Sequence, residues 1–349
     1  MSAVDLVGTV ADLELRQRVR STAWYVLLGV AAVVLAGTTA LLLATAGAFG
    51  AEAGAQVVPV LVFLVLLLGT LVTPALAGGA INGDRDAGTL ATTQVTLVSA
   101  AQLLLGKFLA AWAAALAFLV VAVPFLLVAV IAGGVRLSAA AVALGVTAVE
   151  LGVVAAIGVG LSAVIARPIF SVVTTYLVVA ALSIGTVIVF GLAGLAFPRT
   201  ITSIDRYPTD ESQEAADGTV VCGDFQTTVS TAPSYDRVWG VLAVNPYVVL
   251  ADAVPAQFTS DGSPADLFTG MQAGIRSLQI APETVQRYDA CSESTYVPGP
   301  SEQQVLARTV PSWFVGLAVH VLLGALSLLA GLRALRTPAR RLARGSRIA

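Results

Sequence analysis

The sequence predicts an all-α membrane protein with six transmembrane helices and both termini in the cytoplasm. Three observations lead there. Apolar residues form 57% of the 349-residue chain and charged residues 11%, against roughly 45–50% and 25% in a soluble domain. Six stretches approach the ~20 apolar residues that cross a bilayer as a helix. They lie near Trp24–Ala46, Val57–Ala77, Phe108–Ala132, Ala139–Ile165, Phe170–Leu192 and Trp313–Leu335. Basic residues then sort to one side, as short cytoplasmic loops require. With the N-terminus inside, that side holds Arg16, Arg18, Arg20, Arg85, Lys107, Arg167 and the six arginines from Arg333 onward.

Residues 1–23 place Leu6, Val10 and Leu13 at helical spacing with Val7 alongside, and Asp12, Glu14, Arg16 and Arg20 on the other side. That pattern is an amphipathic helix in the membrane interface. The first span follows a basic flank, as a signal peptide would. Its run of about 20 apolar residues exceeds the 7–15 of a signal core, so it is read as a retained anchor.

Residues 24–197 hold spans one to five. The connector from Gly78 to Val98 is far longer than the 2–8 residues that join two antiparallel helices. Gly78, Gly79 and Gly83 let the chain leave span two, and Asn82 or Asp84 can cap a short cytoplasmic helix through Leu90. Ser99 and Gln102 stand in capping-box spacing and start span three near Ala100. Lys107, the one Lys of the chain, is expected to snorkel to the interface. Between spans four and five, Pro168 suits a first helical position.

Residues 198–312 form a large insert expected outside the cell. It carries 14 of the 21 acidic residues against six Arg, which suits a solvated face and argues against nucleic acid. Both cysteines, Cys222 and Cys291, fall here. Outside the cytoplasm they predict a disulfide; the alternative is two unpaired small core residues. No ligand cluster accompanies them, so no metal is expected. Residues of about 238–256 read as two apolar half-helices broken at Asn245–Pro246. Each is too short to span, which leaves a re-entrant hairpin or the core of a small external domain. Residues 313–335 form span six, and 336–349 a basic tail suited to anionic membrane lipids.

The chain lacks the usual chemistry-bearing motifs. A phosphate loop needs a Gly five residues before its Gly-Lys and a hydroxyl after it. At Gly106–Lys107 those places hold Ala101 and Phe108. No ATP site, catalytic residue or bound cofactor is therefore expected. Two ionisable residues fall inside spans, Glu150 in span four and His320 in span six. Such groups are costly in lipid and mark transport paths or helix seams. Both are candidates for a translocation path, with a hydrogen-bonded structural role as the alternative for each. Their depths along the spans do not require them to touch.

The stretch from Ile81 to Lys107, "INGDRDAGTLATTQVTLVSAAQLLLGK", carries a resemblance. It is similar to the permease subunits of ATP-binding-cassette exporters of the type-2 permease class. These place an acidic-basic pair, then Gly-Thr-Leu, a Thr/Ser stretch and Gly-Lys between their second and third spans. Here the positions are Asp84–Arg85, Gly88–Thr89–Leu90, Thr96 and Ser99, and Gly106–Lys107. Asp84 replaces a usual Glu, and Leu97 a frequent Pro. The resemblance implies a coupling helix at about 82–98 that seats in a separate ATPase subunit. Asp84, Arg85 and Asp86 would make polar contacts there, while Gly88, Thr89 and Leu90 belong to the same contact surface. It further implies a second permease copy, and ATP with Mg used by the partner subunit. The expected function is thus the permease half of an ATP-driven exporter of a hydrophobic or amphipathic substrate, in the cell membrane. Two other classes compete. One is a non-transport membrane protein whose external domain binds a ligand or organises an envelope complex. The other is an ion-coupled secondary transporter using Glu150, against which the missing internal repeat weighs.

Overall fold

Helix α1 (Ala3–Val19) opens the chain, with a capping box in which Ser2 and Asp5 satisfy each other's backbone N–H groups. The computed structural model describes residues 2–49, 53–86, 88, 98–132, 135–209, 221–291 and 299–336. Six helical segments in it are long and apolar enough to cross a membrane. The first is part of α2 (Thr22–Phe49). The second is α3 (Ala53–Ala77), which a turn links to the short α4 (Asn82–Asp86). The third is α5 (Ala100–Ile131) and the fourth α6 (Leu137–Val164). The fifth joins α7 (Pro168–Ala180) to α8 (Thr186–Ala196) through a π-helical turn at Ala181–Gly185. The sixth is the last helix, Trp313–Leu335.

The helix α6 is the centre of the bundle: 72% of its most apolar stretch is buried, against 11% for the fifth segment. Its small residues, among them Gly152, Gly158 and Gly160, let α3, α5 and the last helix approach closely. A continuous apolar core of Val57, Leu61 and Val65 from α3 with Ala143 and Leu151 from α6 fills the insert end of the bundle. A second cluster of Ala77, Ile81, Leu103 and Val159 fills the opposite end. On the flank, Trp24 of α2 meets Phe118 of α5 edge to face, with ring centres 6.2 Å apart.

The insert is not all-helical, which corrects the all-α expectation. It carries β1 (Pro198–Arg206), β2 (Gln226–Pro233) and β3 (Val285–Asp289) in the order β2-β1-β3. The first pair is antiparallel, from Pro198 opposite Pro233 to Asp205 opposite Gln226, and β1–β3 is parallel. The strands include Thr, Val and Ile, β-branched types that suit a pleated surface. They read as polar connector because β2 is exposed over most of its length. The Cys222–Cys291 disulfide is formed and links residues 69 apart. Beside it, Arg206 donates Nε and Nη2 to the two carboxylate oxygens of Asp289 at 2.9 and 2.8 Å.

Where the sequence shows two apolar half-helices, a 3-10 turn (Trp239–Val244) precedes α9 (Pro246–Ala253). Pro246 holds the first helical turn, and the Asn245 side chain accepts from the N–H groups of Tyr247 and Val248. Val249, Leu250 and Ala251 belong to the same core as Val57 and Leu61. The broken segment therefore packs into the helix bundle itself, and the insert shares its core with the spans. The remaining insert helices are α10 (Leu267–Ser277) and α11 (Glu302–Arg308), which puts the sixth span at α12 (Trp313–Leu335). Gly316 of α12 makes the join possible: a Cβ there would stand 1.9 Å from the Ala243 carbonyl oxygen.

Candidate functional site

Two polar constellations stand out in this apolar chain, one beside the C-terminal end of α6 and one at its middle. The first is built around Lys107. Residues Leu6, Val7, Val10, Glu14 and Arg18 form the inward face of α1, while Leu13 is 55% exposed. That differs from the apolar stripe expected from the sequence, because the inward face includes two charged residues. Val10 presses against Gly106 on α5, where a Cβ would lie 2.6 Å from the Val10 Cβ. The close approach brings Glu14 onto Lys107. Asp84 of α4 reaches the same ammonium at 2.7 Å.

Lys107 does not snorkel: it is only 2% exposed. Two carboxylates around one buried cation leave the lysine neutralised, which is what makes its burial tolerable. Arg18 completes the seam by donating Nη2 to the Leu76 carbonyl at 3.0 Å, near the C-terminus of α3. Burial pulls the Arg18 guanidinium below its ordinary value, partly opposed by the Glu14 charge.

Neutral groups anchor the other side of α4. The backbone N–H groups of Ile81 and Asn82 both donate to Ser162 Oγ, at 2.9 and 3.2 Å. Ser162 Oγ donates to Asn82 Oδ1 at 3.1 Å, and Asn82 Nδ2 donates to the Ile165 carbonyl at 3.1 Å. Asn82 and Ser162 are both fully buried. The short helix is thus bolted to the end of α6 by one face and to α5 and α1 by another. Asp86 at its tip is exposed. Gly88, also exposed, takes a left-handed conformation with φ of 72° that turns the chain away. Thr89 and Leu90 lie outside the described residues.

The second constellation joins Glu150 of α6 to His320 of α12. Both are buried, and His320 Nδ1 lies 2.9 and 3.0 Å from the two Glu150 oxygens. His320 Nε2 stands 2.9 Å from the Val244 carbonyl, at the break before α9. The two residues, which span depth alone left independent, form one unit with the insert. A carbonyl can only accept, so Nε2 carries a proton. One further proton is shared between Nδ1 and the carboxyl, as ion pair or as neutral pair. In either form the pair carries no net charge, which suits its surroundings.

The break at Asn245 also reaches the fifth span. Its Nδ2 donates to the Ser183 carbonyl at 2.6 Å and to Thr186 Oγ1 at 2.8 Å. Both partners lie at the π-helical turn, where the backbone register shifts and carbonyls are left for other donors. One buried hinge segment therefore holds α6, α12 and the fifth span together.

The sequence reading missed Asp252. Its buried carboxylate takes Arg276 Nε at 2.6 Å, the Ser312 N–H at 2.5 Å and the Trp313 N–H at 3.0 Å. It anchors α10 and caps the N-terminus of α12, where negative charge is favoured. An acidic residue within an apolar eight-residue helix was its one visible signal. Among the described residues no three His, Cys, Asp or Glu side chains gather as a metal site would require.

Comparison with known proteins finds no family model that matches the chain and no match among curated proteins.

Proposed function

We propose that the chain is the transmembrane permease half of an ATP-driven exporter, working with a separate ATPase subunit that uses ATP and Mg. The observation that carries this reading is α4: a short charged helix, exposed at Asp86, yet fixed at its base by polar bonds to α5 and α6 and, through Lys107, to α1. An ordinary loop between two spans has no need of such an anchorage. A helix that receives a push does, because force applied at Asp86 passes through Asn82–Ser162 into α6 and through Asp84–Lys107 into α5.

From α6 the displacement reaches α12 and the insert hinge through Glu150, His320 and the Val244 carbonyl. This is rigid-body coupling between a surface lever and a buried polar joint. In this reading α4 faces the cytoplasm, the disulfide-bearing insert lies outside, and a second permease copy completes the path. The apolar walls of the bundle favour a hydrophobic or amphipathic substrate. Arg85 and Asp86 contact the ATPase, with Gly88, Thr89 and Leu90 beside them. Asp84 contributes chiefly by holding Lys107.

The test follows from that division of labour. Asp86→Lys reverses an exposed charge without touching the anchorage, so co-purification of the ATPase should fall while insertion and the disulfide persist. Asp84→Lys would break the internal bridge as well and is the poorer probe. If no ATPase co-purifies with the unaltered chain, the proposal fails.

A further inference from the structure

Midway along the bundle, α3 and the fifth span leave a gap beside the Tyr176–Leu71 hydrogen bond. Between them lies a cleft of about 480 Å³, walled by Leu67, Thr70 and Leu71 on one side and Tyr176, Val179 and Ser183 on the other. Tyr247 from α9 also lines it. The volume falls within the range of small-molecule sites, about 300–1,000 Å³. A second cavity of only about 20 Å³ shares Thr70 and Val179 with the cleft and is lined by Glu150 and His320. Thr70 and Val179 thus stand between the cleft and the buried pair.

The chemistry of its walls is one-sided. No acidic or basic side chain lines the cleft, and its side-chain polar groups are hydroxyls. Thr70 donates its proton to the Leu67 carbonyl at 2.9 Å, Tyr176 to that of Leu71 at 2.7 Å, and Ser183 to that of Val179 at 2.8 Å. Tyr247 adds a fourth hydroxyl to the wall. Three of the four hydroxyl protons are therefore committed, and what those three oxygens retain is acceptor capacity. Behind that wall the Glu150–His320 pair is neutral in sum, so it adds no charge for a ligand to balance.

We infer that this cleft binds an uncharged, elongated apolar molecule whose head group donates hydrogen bonds, such as a long-chain alcohol or the free hydroxyl of a neutral lipid. The inference rests on the transport reading for its biological use, while the binding itself does not require an ATPase. An acceptor-only head would meet three oxygens whose protons are already committed, and an ammonium or carboxylate would enter without a counter-charge. Alkyl chains in general fit the apolar walls, so selectivity resides in the head.

The full chain in phosphatidylcholine nanodiscs, photolabelled with a long-chain alcohol bearing a diazirine in its tail, tests this. Label should map to residues 67–71 and 176–187. Dodecanol should compete at about tenfold lower concentration than dodecyl methyl ether, the difference one donated hydrogen bond makes. Dodecylamine and dodecanoate should compete no better than the ether. Thr70→Val with Ser183→Ala should retain labelling, which shows the cleft intact, and shrink the alcohol-to-ether ratio toward one. Equal competition by alcohol and ether, preference for the amine, or label spread evenly over the helices would overturn the inference. Alcohol-selective labelling in a chain that brings down no ATPase would sink the transport reading alone.

Discussion

Replacing Lys107 by Met tests whether α1, α4 and α5 are held by charge or by packing. Met matches the length of the lysine stem and fills space adaptably, so the apolar contacts of Val10 and Gly106 remain. What disappears is the cation between Glu14 and Asp84. Breaking a fully buried ion pair costs about 3–5 kcal/mol. Here the carboxylate side chains keep 19% and 34% exposure, and partial rehydration lowers the cost to about 2 kcal/mol. That corresponds to roughly 30-fold in the ratio of docked to released α1. Amide hydrogen exchange over residues 3–19 reads the ratio directly. Lys107→Arg should keep most of the protection. Glu14→Gln with Asp84→Asn, added to Lys107→Met, should restore part of it by removing the stranded charges. If the triple variant exchanges faster than Lys107→Met alone, the carboxylates stabilise α1 by another route and the electrostatic account is refuted.

Other expectations separate roles that look alike in the sequence. His320→Ala strands Glu150 in the bundle core and should cost about 3–5 kcal/mol. Glu150→Gln should cost about 1 kcal/mol, because an amide can donate to Nδ1 while Nε2 keeps Val244; thermal unfolding in nanodiscs compares them, and equal losses would show that the pair must be ionised. Cys222→Ser opens a loop of 69 residues and should lower insert stability by about 4 kcal/mol, seen as faster cleavage by an external protease. The hydrogen bonds from Arg206, with burial opposing, hold the Asp289 carboxyl below the usual carboxylate range. A depressed folded value stabilises above the ordinary carboxylate range and is lost as pH falls through the depressed value. Pepsin resistance of the insert should therefore decline in acid, and Asp289→Asn should flatten that decline.

The sequence makes the spans legible because crossing a membrane imposes length and apolarity on each helix separately. The Ser99–Gln102 start of the third segment is local in the same way, and both halves of its capping box form. What could not be read are features fixed by helices meeting. Leu13 rather than Glu14 looks like the buried residue of α1 until α5 presents Lys107. Glu150 and His320 are 170 residues apart, and their contact depends on the rotation of two helices about their axes. The sheet was hidden for another reason: strands that expose both faces lose the period-2 alternation that usually reveals them.

The two helix-contact failures share a physical origin. In a chain with 11% charged residues, each buried charge must find a partner on another helix, because its own helix offers none. The partners then become the joints. Lys107 ties α1 to α4 and α5, Glu150 ties α6 to α12 and the hinge, and Asp252 ties α9 to α10 and α12. Between joints, Gly and Ala surfaces slide with little penalty, since lipid tails and helix faces are equally apolar. In the proposed transport cycle, a displacement at α4 would therefore be carried by the few polar ties and little elsewhere. Loosening one tie should therefore cost stability and, in the proposed transport cycle, coupling together, whereas enlarging Gly316 should cost stability without removing a tie.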